Sequence, residues 1–304
     1  MMRVGAIVGI GAAVAVAACA APATPERLSA GALHNVFRYA DGVLGGSEPA
    51  TDEDFATLAT LGVKTIVSVD GARPKVETAA KHGLAYVHVP IGYDGVPEPA
   101  RRQLVKTLRS VPGPIYVHCH HGVHRGPAAV GCMLVGDGRV EPAAALAMLK
   151  TVGTSPEYPG LYRDVAATRR FAAEELAAVP VPPPTASVSD FASAMAELDR
   201  AWDRIKLVQQ AGWKADPKHP DLDPKHEAVM LHEFLAELRR TGKLSELNLQ
   251  AAAARDFSRL LDETLQHAAE LRTGLAEGLP PERLDAAFHA LRQDCAGCHR
   301  RFRN

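Results

Sequence analysis

The chain has 304 residues, enough for two compact domains of the usual size. Hydrophobic residues make up 47% and charged residues 23%, a balance that excludes wholesale disorder and a polytopic membrane protein. With 34 Lys+Arg against 35 Asp+Glu, a net charge of -1 and no long basic run, no electrostatic footprint for nucleic acid is present; the 5 cysteines are too few for a disulfide scaffold, so each needs its own reason.

At the amino end, Met1-Met2-Arg3 precedes an uncharged, small and apolar run from Val4 to Ala18 that stops at Cys19. That run is too short to span a bilayer and has the charged start and apolar core of a secretory signal. Val16-Ala17-Ala18-Cys19 resembles a bacterial lipobox. The resemblance implies cleavage before Cys19, acylation of that residue, and an exported body lipid-anchored to a bacterial membrane on the periplasmic side. The alternative is ordinary signal cleavage among the neighbouring alanines. Residues 1–18 are therefore expected to be a signal peptide and 19–34 a small, polar tether.

From Asn35 onward, short β-rich runs alternate with helical ones. Asp41-Gly42 between Phe37–Tyr39 and Val43-Leu44 signals a hairpin. Thr51-Asp52-Glu53-Asp54 caps a helix carrying Phe55, Leu58 and Leu61, closed by Gly62. Strands are expected at 65–69, 85–89 and 115–118, and helices at 74–82, 97–110, 127–135, 142–151 and 161–178. This is the βαβ grammar of a mostly parallel sheet covered by helices, an α/β domain over 35–178. Val179-Pro180-Val181-Pro182-Pro183-Pro184 cannot lie inside a helix and marks a stiff linker over 179–186. Across 187–304 no strand signal appears. Apolar residues there fall on four helical stripes, the first through Phe191, Met195, Leu198, Trp202 and Ile205 and the last through Leu284, Phe288, Leu291, Cys295, Cys298 and Phe302. An all-α, antiparallel four-helix bundle is the expected architecture.

Directly after the strand ending at Val117 comes His118-Cys119-His120-His121-Gly122-Val123-His124-Arg125-Gly126, with a helix expected from Pro127. Loop N–H groups and a helix N-terminus form an anion cradle, an arginine grips two oxygens of the anion, and the same positive field favours a nucleophilic thiolate. His118, Cys119, Gly122 and Arg125 match the His-Cys-x2-Gly-x2-Arg signature of the Cys-based dual-specificity and tyrosine phosphatase superfamily, which this region resembles. Gly45-Gly46-Ser47-Glu48-Pro49, followed by a helix and a strand, resembles the opening of its small atypical members. The resemblance implies hydrolysis of a phosphorylated substrate through a phosphocysteine at Cys119. Arg125 and the loop residues His118, His120, His121, Gly122, Val123 and His124 would bind the phosphate, and an aspartate on a mobile loop would act as acid and then base. Asp94, in Pro90-Ile91-Gly92-Tyr93-Asp94-Gly95, lies where the family's acid lies, and Asp70 at the end of another strand is the second candidate.

One position departs from the family pattern: Gly126 stands where a Ser or Thr hydroxyl usually stabilises the departing thiolate. His120, His121 and His124 are unusual on such a loop; they add positive charge in mild acid, reach a metal, or simply face solvent. Cys132, among Val130, Met133 and Leu134, reads as a core thiol rather than a resolving cysteine of the arsenate-reductase kind.

Near the carboxyl end, Cys295-Ala296-Gly297-Cys298-His299 matches the covalent haem attachment motif. A redox disulfide would want a βαβ setting, and zinc would need a further ligand. Residues 187–304 resemble the cytochrome c′ family, whose last helix carries this motif followed by an aromatic and a basic residue, here Phe302 and Arg303. That resemblance implies haem c on Cys295 and Cys298 and His299 as axial iron ligand. The distal face is either open or closed by a first-helix methionine, for which Met195 is placed. Expected partners are a phosphorylated substrate, the membrane through the lipid anchor and a redox partner for the haem. Two functions follow: an exported phosphatase with a haem domain for electron transfer or gas and redox sensing, or a haem protein whose phosphatase-like domain only binds an anion or a partner. Gly126 favours the second.

Overall fold

The computed structural model describes residues 24–240, 247 and 249–303. The signal run and Cys19 lie outside them. Six strands, β1 (Glu26–Arg27), β2 (Phe37–Ala40), β3 (Val43–Gly46), β4 (Thr65–Ser68), β5 (Ala85–His88) and β6 (Ile115–His118), form one sheet in the order β1-β2-β3-β6-β4-β5. The expected mostly parallel sheet is mixed. β3, β6, β4 and β5 run parallel, whereas β1 pairs antiparallel with β2, and β2 with β3 because Gly42, at φ 73°, turns the chain straight back at Asp41-Gly42.

Both faces of the sheet are buried, and side chains alternate between them. Val67, Val87, Ile115 and Val117 pack under α3 (Glu98–Ser110), α4 (Arg125–Asp137), α5 (Pro142–Thr151) and α6 (Pro159–Ala166). Ile66, Tyr86 and Tyr116 face α1 (Asp52–Thr60) and α2 (Val76–Lys81) through Phe55, Leu58 and Ala79. α1 starts at the expected cap: Thr51 Oγ1 accepts from the Asp54 N–H at 3.3 Å and the Asp54 carboxylate accepts from the Thr51 N–H at 2.8 Å. α4 is buried along almost its whole length, and its small residues let it sit against the sheet.

Two expectations change in this half. The helix expected over 161–178 is two helices, α6 and α7 (Ala173–Ala177). The break buries Phe171 beside Val105 and Leu176 and sends its N–H to the Gly136 carbonyl at 2.9 Å. Residues 24–34, expected as tether, join the fold: β1 extends the sheet and Ala30 and Leu33 enter the core below α1.

The proline run lies along the edge strand β5. The His88 N–H donates to the Pro183 carbonyl at 2.9 Å and the Ala186 N–H to His88 Nδ1 at 3.1 Å. Four long helices follow: α8 (Asp190–Gln210), α9 (Pro224–Arg240), α10 (Ala251–Glu277) and α11 (Pro281–Phe302). Each packs on the next, and the Trp202 ring stacks on Phe288 at 4.8 Å to join α8 to α11. Their stripes share one core that includes Ile205, Leu231, Leu235, Phe257, Leu271 and Leu291. Among the described residues no helix is long and apolar enough to cross a membrane.

Candidate active site

β6 ends in the middle of the sheet and hands the chain to a tight loop that enters α4 at Arg125. Gly122 turns that loop at φ 72°, and a Cβ there would come within 2.2 Å of the Gly46 carbonyl carbon, so only glycine passes β3. The loop is held from outside: the Glu48 N–H donates to the His120 carbonyl at 3.0 Å and Asn35 Nδ2 to the His121 carbonyl at 2.9 Å. His118 is fully buried, with Nε2 3.0 Å from the Tyr86 hydroxyl, and burial pushes its pKa down to about 4.

Cys119 sits at the loop's head, 3% exposed. Arg125 Nη2 donates to Asp70 Oδ2 at 2.7 Å, and the same oxygen accepts from the His120 N–H at 2.9 Å. Asp70 Oδ1 takes the Ala72 N–H at 2.9 Å. Burial opposes ionisation of Asp70, yet the Arg125 charge and these N–H groups outweigh it and hold the carboxyl far below the usual carboxylate range. Asp70 thus clamps the loop and its arginine. The other side of the guanidinium is different: Arg125 Nε is buried with no acceptor among the described residues. A buried, unpaired charged donor beside a cysteine is a place an anion would fill.

Asp94 lies on the loop that covers this cradle. Its neighbour Tyr93 presents its ring to the Arg125 guanidinium at 4.5 Å and lies tilted against the Tyr158 ring at 4.6 Å. The loop is seated on the start of α6, where a Cβ on Gly160 would strike the Asp94 carbonyl and where Arg163 Nη2 donates to that carbonyl at 3.0 Å. The Asp94 side chain is left exposed. Gly126 begins the first turn of α4, and a Cβ there would stand 3.6 Å from Cys119 Sγ, in ordinary contact. The missing hydroxyl therefore has room. Cys132, fully buried, has its thiol pushed by burial up to about 12 and accepts from Thr168 Oγ1 at 3.4 Å, an inert core thiol.

The helical region reaches the same loop. Asp203 and Asp199, one turn apart on α8, face the two loop histidines: His120 Nε2 is 2.9 Å from Asp203 Oδ2, and His121 lies 3.8 Å from Asp203 and 3.9 Å from Asp199. His120 Nδ1 is 3.3 Å from Glu48 Oε2, which also accepts from Arg200 Nη2 at 2.5 Å. Burial works against the charge on His120, but Asp203 and Glu48 outweigh it and raise its pKa to about 9. Glu48, buried too, is held down at about 2 by His120 and Arg200. At the end of α11, the Arg303 guanidinium stacks on Tyr93 at 3.7 Å. Sequence reasoning named the loop but not Arg200 or Asp203, whose only signal is a charge on a helix face, and it named Arg303 only as the basic residue after the Cys-x2-Cys-His motif. His124 sits beside Tyr158, ring centroids 4.9 Å apart.

On α11, Cys295 and Cys298 are half-buried free thiols on one side of the helix, and Cys298 and Phe302 pack against the helical core. His299 Nδ1 lies 3.2 Å from Arg303 Nη1. Met195 is half-buried against the same core.

Residues 42–139, from β3 through α4, match the family described as polymorphic toxin system, DSP-PTPase phosphatase. This part of the chain is a Cys-based, DSP/PTPase-like phosphatase domain. Among solved structures, P. aeruginosa TpbA is 19% identical, with a TM-score of 0.42 over 51% of this chain and 94% of its own. A putative phosphatase from Shewanella putrefaciens CN-32 is 14% identical, with a TM-score of 0.38 over 46% of this chain and 96% of its own. The core catalytic domain of the PP-IP phosphatase SIW14 from S. cerevisiae is 16% identical, with a TM-score of 0.34 over 55% and 93%. A search of curated proteins finds no match to the chain.

Proposed function

We propose that the protein is an exported, membrane-tethered hydrolase of phosphate monoesters whose carboxyl-terminal region is a cytochrome c′-like four-helix haem c domain. The observation that carries the catalytic part is the buried Nε of Arg125, without an acceptor among the described residues, at the end of the loop that Cys119 heads. A phosphoryl group placed on Cys119 gives that donor its acceptor. The Cys119 thiolate attacks phosphorus, the bond to the leaving oxygen breaks, and Asp94 supplies the proton that oxygen needs. Arg125 and the loop N–H groups meet the charge on the three peripheral oxygens. Asp94, now a carboxylate, takes a proton from water, which attacks the phosphocysteine and releases phosphate and the thiolate. Asp70 already neutralises Arg125 and is suited to holding it rather than to proton transfer.

The haem reading rests on the donor set: two half-buried free thiols spaced as Cys-x2-Cys on one helix, a histidine next to the second, and an apolar wall of Phe257, Phe302 and Met195 beside them. These residues fit the group: Cys295 and Cys298 would hold it covalently, His299 would ligate its iron, and Met195 would be available as a second ligand. Bound there, haem supplies one-electron transfer or an iron that takes a small gas. Export and the lipid anchor rest on the 4–18 apolar run and Cys19, and agree with a haem attached outside the cytoplasm.

The test is one sample, expressed with c-type maturation factors, given an absorption spectrum and a phosphatase assay. A Soret band and hydrolysis of an aryl phosphate are expected, with Cys119→Ser abolishing hydrolysis while leaving oxyanion binding partly intact. Turnover retained in that variant overturns the catalytic reading, and absence of the Soret band removes the haem.

A further inference from the structure

The contact between α8 and the loop has the composition of a metal centre. Two imidazoles come from adjacent loop residues, His120 and His121, and two carboxylates come from Asp199 and Asp203, which the helical repeat of about 3.6 residues places on one face of α8. One ligand atom of each of His120, His121 and Asp199 lies within 4.8 Å of the others, and Asp203 Oδ2 is 2.9 Å from His120 Nε2 and 3.8 Å from His121 Nδ1. Ligand atoms around a four-coordinate cation with bonds of roughly 2.0–2.2 Å stand about 3.3–3.6 Å apart, so His120, His121 and Asp199 need only draw together, whereas His121 presents Nε2 to Asp199 and Nδ1 to Asp203 and one carboxylate must turn to the nitrogen the cation takes.

The outer partners also suit a cation. The ring nitrogen of His120 that does not face Asp203 lies 3.3 Å from the Glu48 carboxylate, the carboxylate–histidine–metal arrangement that fixes the ring and its tautomer. Arg200 holds that carboxylate in place at 2.5 Å, and Lys206 pairs with the other oxygen of Asp203, leaving Oδ2 for the centre. Two neutral imidazoles and two carboxylates sum to a charge of -2, which a divalent cation cancels. Among the described residues, the ion pair of Asp199 is with His121 Nε2, at 3.9 Å.

We propose that His120, His121, Asp199 and Asp203 bind one divalent transition-metal cation of the zinc class, joining the phosphate loop to α8. Imidazole and carboxylate donors in a four-coordinate set favour Zn²⁺ over Mg²⁺ or Ca²⁺, which take oxygen ligands at higher coordination number. With two ligands from each side, the cation acts as a clasp between the phosphatase domain and the helical region. The inference does not depend on turnover at Cys119.

The probe is Zn²⁺ itself, added at one equivalent to the full-length protein and examined by X-ray absorption at the zinc edge. A shell of nitrogen and oxygen at about 2.0–2.2 Å with no sulfur is expected; a sulfur shell at about 2.3 Å would assign the metal to the cysteines and overturn the proposal. Competition against a chromogenic chelator gives the affinity. The full-length Cys119→Ser/Cys295→Ser/Cys298→Ser variant should still bind one equivalent. Asp199→Asn/Asp203→Asn should lose at least 100-fold in affinity, and Glu48→Gln roughly 10- to 100-fold. Unchanged affinity in the double aspartate variant refutes the site, whether or not the enzyme is active.

Discussion

Replacing Gly126 by serine should speed the second half of catalysis. The Cβ would lie 3.6 Å from Cys119 Sγ, 3.5 Å from the Cys119 nitrogen and 3.8 Å from the His118 carbonyl carbon, all ordinary contacts, so the side chain enters without displacing the loop. A hydroxyl one bond farther on can donate to the sulfur. A hydrogen bond to a charged group contributes about 1.5–3 kcal/mol. If that bond is made to the thiolate as it leaves the phosphocysteine, breakdown of the intermediate accelerates roughly 10- to 150-fold at about 1.4 kcal/mol per decade. The assay is stopped-flow release of an aryl leaving group followed by steady-state phosphate release. The native protein should show a burst followed by a slow phase, because breakdown limits turnover; Gly126→Ser should lose the burst and raise kcat. A native protein without a burst, or a variant with unchanged burst and kcat, refutes the assignment of Gly126 as the slow point.

Asp94→Asn should lower kcat about 10²-fold or more with phenyl phosphate, whose leaving oxygen needs a proton, and much less with a nitrophenyl ester, whose leaving oxygen does not; equal losses with both would deny Asp94 the acid role. Asp70→Ala removes the partner of a buried guanidinium and should cost about 3 kcal/mol in urea unfolding, and an unchanged midpoint would show that the pair is not what holds the loop. Burial opposes the charge on Asp137, but Arg109 at 2.6 Å and Arg139 at 2.7 Å outweigh it and lower its pKa. Its contribution to stability is therefore complete above the usual carboxylate range and disappears as pH falls through the lowered value. The stability gap between the native protein and Asp137→Asn should accordingly shrink from pH 6 toward pH 3, and a gap independent of pH would contradict this.

What could be read from the chain beforehand was local. Thr51 and Asp54 are three apart and cap α1 as their spacing demands, and Cys119, Gly122 and Arg125 take their places because strand, turn and helix follow one another without a gap. Asp70 was visible only as an acid at a strand end. Its role depends on where β4 sits beside β6, a pairing between residues some 50 positions apart that leaves no periodic mark. The split between α6 and α7 was hidden for a similar reason, since Phe171 leaves the helix for a contact with α3 and α4 that only the folded chain offers. His120 was noticed as unusual, yet its partner Asp203 lies 83 residues away on an ordinary amphipathic helix. Charges on a helix face read as solvated until another surface is laid against them.

The bonding of the proline run to β5 sets how far the helical region can travel. His88 holds the chain at Pro183 and again at Ala186, and α8 begins at Asp190. The four steps from Ala186 to Asp190 span at most about 14 Å when fully extended. While those two bonds last, α8 cannot diffuse away from the phosphate loop; it can only swing about a short pivot. A leash of that length keeps its end at an effective concentration in the millimolar range or above, so the contact can close on itself even if the two surfaces, cut apart, would hardly associate. Loosening the seam at His88 would lengthen the leash and weaken that closure without touching any residue of the contact.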